Sequence, residues 1–229
     1  QLAQGASGVA QLHLATPVVA VYDQPFVLRE ESPAATAGGG RVLRPSGPRI
    51  RRRDRVAIDR VKRLRDSDPG RRLAATLALQ GLEPCGDREL CQLTGLAALQ
   101  IPSELGSLVE SGEIVTLPLG GKRSLQVLSE TCSELEDRIV RALGRLHAAR
   151  PRVSAIPRAQ LSAALPDLDD ALVAALCARL HATGTLVCTP RTVALKGYEA
   201  KLSQGERRLK AELAEAVRAD GFVILPSGD

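Results

Sequence analysis

The residues best suited to chemistry in this sequence are arginines, and they crowd one short stretch. Five of the seven residues at positions 49–55 are arginine. The wider segment 41–72 holds 13 Lys and Arg against 4 Asp, a local net charge of +9 in a chain whose net charge is +5. Guanidinium groups match the geometry of phosphate, and a concentrated positive patch is typical of contact with a polyanion. The pattern predicts RNA contact, with a solvated linker beside a helix as the alternative.

Signals for a chemical reaction are absent from the sequence. It contains neither the Gly-x-x-x-x-Gly-Lys-Ser/Thr loop that holds nucleotide phosphates nor a serine in a nucleophile-elbow motif. The five cysteines form no Cys-x-x-Cys pair, and the three histidines lie at no ligand spacing. We therefore predict no catalytic residue, no metal site and no enzyme activity in this chain. His147 and His181 each lie near a predicted helix end, where a positive charge is favoured.

Composition limits the kind of core that the chain can build. Hydrophobic residues make up 44% of the sequence but aromatic residues only 2%, so the cores must consist of Leu, Ala and Val. A platform that stacks single-stranded bases on aromatic rings is therefore not expected. No apolar run is long enough to span a membrane, and nothing resembles a signal peptide. An odd number of cysteines suits free thiols in a reducing compartment, so we predict a cytoplasmic protein.

The segment before the arginines predicts short strands. Residues 9–14 alternate and residues 17–22 are apolar and β-branched, so each predicts a strand. Phe26 begins a further strand, a turn and a last strand that Pro45 ends. The three glycines at positions 38–40 predict a backbone bend, or a close approach that a Cβ would prevent, before the strand resumes. About four strands are too few to close a barrel, so we expect the missing strands upstream of this chain.

The segment after the arginines predicts helices and then a hairpin, which is the order of a winged helix. Helical periodicity and strand alternation define the elements. They are helices over residues 56–68, 71–80, 87–93 and 103–110 and strands over residues 114–117 and 125–128. The glycine-rich tip between the two strands carries Lys122 and Arg123.

A second copy of this order follows. Ser133 and Glu136 offer a capping box for a long helix, a short helix covers residues 158–164, and Asp167 is the predicted cap of the next helix. A hairpin over residues 186–195 completes the copy.

The two copies share a short sequence motif. Leu108 and Gly112 recur 72 residues later as Leu180 and Gly184, an offset that predicts tandem domains rather than a solenoid. A third copy is predicted to begin at Ser203. We therefore predict a multidomain protein of mixed α and β class, in which a partial β-barrel segment precedes tandem winged-helix domains.

The segment 26–45 also carries a family resemblance. Its pattern, Phe-x-Leu-Arg followed by Pro, Thr and Gly-Gly-Gly-x-Val-Leu-x-Pro, resembles the last strands of the third, Tu-like β-barrel domain of selenocysteine-specific elongation factors. The family usually has an acidic residue where this chain has Arg44, and Gly-Asp-Arg where it has residues 23–25. The segment 151–158 resembles a winged-helix segment of the same factors. The matching positions are Phe26, Leu28, Arg29, Pro33, Thr36, Gly38, Gly39, Gly40, Val42, Leu43 and Pro45.

The resemblance implies a function for the intact protein. Such factors are GTPases that carry selenocysteinyl-tRNA to the ribosome and recode UGA by binding an mRNA hairpin. It implies that GTP and Mg²⁺ belong to a preceding domain, that the barrel contributes to tRNA contact, and that the hairpin is read by a last winged helix outside this chain. The implied domains are residues 1–48, the incomplete barrel end; 49–128, the basic linker and first winged helix; 129–196, the second; and 197–229, the start of a third.

Within this chain the candidate RNA-facing residues are basic and lie near the barrel end or at a wing tip. Two alternatives stay open: a winged-helix regulator that binds DNA, and winged helices that act as spacers for protein interaction. The acidic leading ends of the third helices argue against insertion into a DNA groove. The candidates are Arg29, Arg41, Arg44, Arg49, Arg51, Arg52, Arg53 and Arg55 near the barrel, and Lys122 and Arg123 at the tip.

Overall fold

A computed structural model describes residues 3, 5–32, 35–121, 123–200 and 204–220 of the chain. The chain divides into two compact units, Gln1–Leu135 and Glu136–Asp229. In the part described, helices are mixed with small antiparallel sheets and no closed barrel is formed. The predicted mixed class is therefore confirmed, while the predicted domain boundaries stay predictions. None of the described helices is long and apolar enough to cross a lipid bilayer.

The first unit contains a hairpin, a group of helices and a second hairpin. The helices and strands predicted between residues 56 and 128 are all present, with ends displaced by a few residues. The elements are β1 (Pro25–Arg29), β2 (Thr36–Arg41), α1 (Arg55–Arg63), α2 (Pro69–Gln80), α3 (Asp87–Thr94), α4 (Ile101–Glu110), β3 (Ile114–Pro118), β4 (Ser124–Leu128) and α5 (Ser129–Ala149), whose later turns belong to the second unit.

Aliphatic side chains from α2, α3, α4 and β3 build the core of this unit, as the composition requires. Leu73 and Ile101 have no exposed surface. Burying one such side chain contributes about 1.5–3 kcal/mol to the free energy of unfolding. The cluster consists of Leu73, Ala74, Leu77, Leu90, Leu96, Ile101, Leu108 and Ile114.

The N-terminal segment contacts the helices through Tyr22 rather than through strands. The Tyr22 hydroxyl donates to the Leu64 carbonyl at 2.7 Å, and the Arg72 guanidinium lies 5.2 Å from the centre of the Tyr22 ring. Leu43 and Ile50 join Tyr22 against the Val61 and Leu64 cluster. One aromatic anchor and two aliphatic side chains thus fasten the segment to α1 and α2.

The strands predicted over residues 9–14 and 17–22 are wrong. None of the described residues 5–24 lies in a strand, and Val19 is 94% exposed. A β-branched run forms a strand only where a neighbouring strand or a packed face receives it. No such partner is present in the described segment, so β1 and β2 form a two-stranded sheet instead of the predicted set of four.

The glycines at positions 38–40 lie inside β2 and make no bend. Phe26 pairs with Gly40, Val27 with Gly39 and Leu28 with Gly38. A Cβ on Gly39 would lie 2.8 Å from the Phe26 carbonyl oxygen, so the alternative of a close approach is confirmed and the bend is wrong. The prediction that a strand resumes at Val42 is also wrong, because β2 ends at Arg41.

The second unit repeats the order of helices and then a small sheet. Its later elements are β5 (Ile156–Pro157), α6 (Arg158–Ala163), α7 (Asp170–Ala182), β6 (Leu186–Cys188), β7 (Thr192–Leu195) and α8 (Gln204–Asp220). The two-residue strand β5, which the sequence did not predict, pairs with β7 and makes the sheet three-stranded. The side chains of this unit with no exposed surface include Ile139, Leu143, Ile156, Leu161, Leu176 and Val193.

Helix starts differ from the predicted caps. The capping box of Ser133 and Glu136 is wrong, since α5 begins at Ser129 and the Ser133 hydroxyl bonds inside the helix to the Ser129 carbonyl at 3.0 Å. The cap of α7 is Asp169, whose side chain accepts from the Ala171 amide at 2.7 Å, rather than Asp167. The predicted cap of a third copy, Ser203, lies outside the described residues.

The 72-residue repeat corresponds to matching hydrogen bonds in the two units. Gly112 has φ 75° and Gly184 has φ 73°. This left-handed conformation commonly ends a helix, and glycine adopts it without steric strain because it has no Cβ. In the first copy, the amide after the glycine donates to the Leu108 carbonyl at 3.0 Å, and in the second the corresponding amide donates to Leu180 at 2.8 Å. The shared motif therefore encodes one helix-to-strand turn used twice.

Candidate nucleic-acid interface

The arginine segment is anchored at one end by Ile50. The Ile50 amide donates to the Gln11 side-chain oxygen at 3.0 Å, and the Gln11 side-chain nitrogen donates to the Pro48 carbonyl at 3.1 Å. The Ile50 side chain packs against the cluster of Val61 and Leu64. The backbone is therefore held on both sides of Arg49, the first arginine of the segment.

The other end of the segment is anchored by the start of α1. The Asp54 side chain accepts from the Ala57 amide at 2.9 Å and caps the helix, an interaction that typically contributes about 1 kcal/mol. The Asp54 amide donates back to the Arg51 carbonyl at 2.9 Å, which closes a turn. The backbone of residues 51–53 is thus fixed at both ends, by Ile50 and by Asp54.

The arginine side chains of this segment are available to a ligand. All five are exposed, and none of their guanidinium groups makes a hydrogen bond or a close ion pair with a described residue, although Arg55 lies near enough to Asp59 to help lower the pKa of that carboxyl. Arg63 and Arg65, at the end of α1 and just beyond it, share both properties and were not among the predicted contacts. Together with the five arginines of residues 49–55, these two make seven exposed guanidinium groups on a short length of chain, which gives a positive surface. The five are Arg49, Arg51, Arg52, Arg53 and Arg55.

Three of the predicted arginines lie around the first hairpin in different surroundings. Arg29 is exposed at the end of β1. Arg41 pairs with Asp23 at 2.7 Å on the surface, where such pairs contribute little to stability. Arg44 is half-buried, its Nη2 donates to the Gln80 side-chain oxygen at 2.7 Å, and burial lowers its pKa. A polyanion would have to compete for Arg44, whose RNA contact stays a prediction.

The predicted wing tip is only partly described. Arg123 is exposed in the turn between β3 and β4, where its amide donates to the Gly120 carbonyl at 3.2 Å. Gly120 and Gly121 have φ 88° and 61°, values that explain the glycines at this turn. Lys122 lies outside the described residues.

Thiols and acidic groups in the described ranges show no arrangement suited to nucleophilic or metal chemistry. None of the five cysteines is joined in a disulfide within the described ranges, and burial is the main cause that raises the pKa of Cys85 to about 12 and that of Cys177 to about 11. Such thiols stay protonated and are poor nucleophiles at neutral pH. No group of three or more His, Cys, Asp or Glu within these ranges could hold a metal ion.

His147 lies in the last turn of α5, near a helix end as predicted, but its ring is buried. It is 1% exposed, and its ring stacks on Tyr198 with centroids 3.8 Å apart. Neither ring nitrogen makes a hydrogen bond of good geometry within the described residues, and the backbone of Val153 offers only a weak contact. Burial lowers the pKa of His147, although the Val153 backbone opposes this effect. The neutral form is favoured because water cannot solvate an imidazolium there.

This burial predicts a pH-dependent stability. Because the pKa of His147 is lower in the folded chain, the unfolded chain binds a proton here first as the pH falls through about 6.5. The unfolding free energy should therefore fall below that pH, by at most about 1.4 kcal/mol per pH unit, as measured by urea unfolding at about pH 7.5 and about pH 5.5. The His147→Phe variant should lose this pH-dependent fall in the unfolding free energy. The control His13→Gln, at an exposed site, should keep it. Equal pH dependence in the parent and both variants would contradict a role for His147.

Comparison with known proteins adds no family to these observations. No protein-family model matches the chain, and no curated protein matches it. The resemblance to selenocysteine-specific elongation factors therefore depends on residues 26–45 and the helical repeats. The geometry by itself supplies a run of exposed, unpaired arginines held between two ordered anchors.

Proposed function

We propose that the chain binds RNA through residues 49–55, as part of a selenocysteine-specific translation elongation factor. One observation carries the proposal: these arginines are exposed and unpaired within the described ranges, although the chain fixes the backbone on both sides of them. Unpaired cations held close together repel one another, and a phosphate backbone would relieve that repulsion and release its counterions. Contacts of this kind position a nucleic acid without reading its sequence.

The proposed architecture extends this to the rest of the chain. In it, β1 and β2 are the end of a Tu-like barrel, and the two copies of helices and sheet are tandem winged helices. The hairpin with Phe26 against Gly40 and the repeated turn at Gly112 and Gly184 support this reading. The factor would act in the cytoplasm with selenocysteinyl-tRNA and the ribosome. GTP, Mg²⁺ and the mRNA hairpin would be bound by other modules of the protein.

Binding to duplex DNA through the third helix of a copy is the less favoured function. In α4 the charged residues are Glu104 and Glu110, and the helix has no cation. In α7 the Arg179 Nε donates to Glu136 at 2.8 Å, so this cation already has a partner. A recognition helix needs free donors for base edges. Interaction of the helical units with another protein remains compatible with their acidic faces.

The test compares the chain's affinity for a single-stranded RNA and for a DNA duplex of equal length at several salt concentrations. About five phosphate contacts predict that log K falls with log salt with a slope of roughly −3 to −4 for the single strand. The dissociation constant for the RNA should be equal to or lower than that for the duplex, since the described helices offer no recognition helix for a DNA groove. Tighter duplex binding, or affinity that does not change with salt, would reject the proposal.

A further inference from the structure

A second set of arginines lines an open groove in the second unit. Arg138, Arg141 and Arg145 follow one another on α5 at spacings of three and four residues, so they lie on one face of the helix. The groove has a volume of about 480 Å³, and Ala164, Leu165 and Asp167 form its other side. The chain from α6 towards α7 thus closes one wall opposite the arginines.

One of these arginines is fixed and the other two are free. The Arg138 Nη2 donates to the two carboxylate oxygens of Asp167 at 2.8 and 2.6 Å, and this contact lowers the pKa of Asp167. Asp167 therefore remains ionised and neutralises one cation. Arg141 and Arg145 are exposed and have no hydrogen bond or ion pair with described residues. Three guanidinium groups against one carboxylate leave the groove with a formal charge of +2.

We infer that this groove binds phosphate groups, in the intact function those of an RNA backbone. Arg141 and Arg145 are one helical turn apart, about 6 Å along the axis, so they can contact two phosphates at once. Arg138 is a positioning residue, because its charge is neutralised by Asp167 and their contact holds the two walls of the groove together. The Ala164 and Leu165 side chains offer no donor to a base edge, so the opposite wall adds no sequence readout to the phosphate contacts of the arginines. The identity of the phosphate source rests on the proposed function, whereas the groove itself does not.

The experiment uses the full chain, the double variant Arg141→Gln/Arg145→Gln and the control Arg191→Gln, which removes an exposed arginine of the same unit outside the groove. Titration with inorganic pyrophosphate, followed by NMR, should shift signals of α5 and of residues 164–167 in the parent and control but not in the double variant. RNA affinity at low salt should fall about 5- to 10-fold in the double variant, and its salt slope should drop by about 1.4.

A further variant tests the electrostatic account. Asp167→Asn removes the carboxylate and frees Arg138, so pyrophosphate should bind several-fold more tightly. A merely structural pair would leave that affinity unchanged, which would count against the groove.

The outcomes separate the two proposals. If pyrophosphate shifts no groove signal, the inference is overturned whatever the RNA result. If RNA affinity in the double variant equals that of the parent while the linker arginines remain necessary, the groove does not bind RNA and the proposed function stands. If the parent binds no RNA but pyrophosphate still occupies the groove, the proposed function fails and the phosphate site remains.

Discussion

Replacing Arg51, Arg52 and Arg53 together by serine is expected to weaken RNA binding on the order of 10- to 100-fold at low salt. These side chains lie between the Ile50 anchor and the Asp54 cap, so serine removes charge without removing a structural contact. Each lost phosphate contact reduces the slope of log K against log salt by about 0.7, so three should reduce it by about 2. Fluorescence anisotropy with a labelled single-stranded RNA measures both quantities.

The matched control removes the same charge elsewhere. Arg88 on α3, Arg191 between β6 and β7 and Arg218 on α8 are all exposed, and changing them to serine lowers the net charge by the same amount. A loss limited to the linker variant would locate the contact at residues 51–53. Equal losses in the two variants would mean that only the net charge of the chain matters, and the candidate interface would be rejected. Unchanged thermal stability of the linker variant would confirm that the anchors are intact.

The sequence was sufficient to locate the helical units, although it placed the start of α2 at residue 71 and missed its cap, because most of the signals that shape a helix are local. Helix α2 begins at Pro69 behind Asp68, whose side chain accepts from the Arg71 amide at 2.7 Å, and it ends at Gly81 with φ 65°. A cap, a periodic apolar face and a glycine stop all act within one stretch of chain. The hairpins of β3 with β4 and of β6 with β7 were recognisable for the same reason, through alternation on both sides of a turn.

Prediction failed where the partner is remote in sequence. The β-branched residues 17–22 have strand propensity, but the Tyr22 hydroxyl donates to the Leu64 carbonyl, 42 residues away, and these residues form no strand. The true cap of α7 was missed because Asp167 and Asp169 have equal local signals. Asp169 caps the helix through the Ala171 amide, whereas Asp167 is held by Arg138, 29 residues earlier in the chain.

The candidate site also has features that the local sequence predicts and features that depend on residues remote in the chain. Exposure of the arginines at 49–55 followed from their density, since so many charges cannot be buried unpaired. The role of Arg44 against Gln80 did not follow, because it depends on how the hairpin meets α2. The groove on α5 had a sequence signal, arginines at spacings of three and four, but its opposite wall comes from residues 164–167. The shape of a site, unlike its charge, needs the tertiary fold.

A change of Gly39 to alanine is expected to unpair β1 from β2. The added Cβ would lie 2.8 Å from the Phe26 carbonyl oxygen and 3.7 Å from the Val27 Cα, and both are backbone atoms that cannot rotate away. Relieving such a clash costs roughly 1–3 kcal/mol, and a two-stranded hairpin is marginal to begin with. Amide hydrogen exchange across Pro25–Arg29 and Thr36–Arg41 should accelerate about tenfold or more, while amides of α2 and α4 keep their protection.

Gly38 provides the matched comparison, because a Cβ there meets no atom within 4 Å. Gly38→Ala should leave the exchange of the hairpin unchanged or slower, since alanine restricts the unfolded chain more than glycine does. The two variants differ by one position in one strand, so composition and propensity are the same and only the approach to Phe26 differs. Equal exchange in the two variants would mean that the glycines do not permit the close pairing.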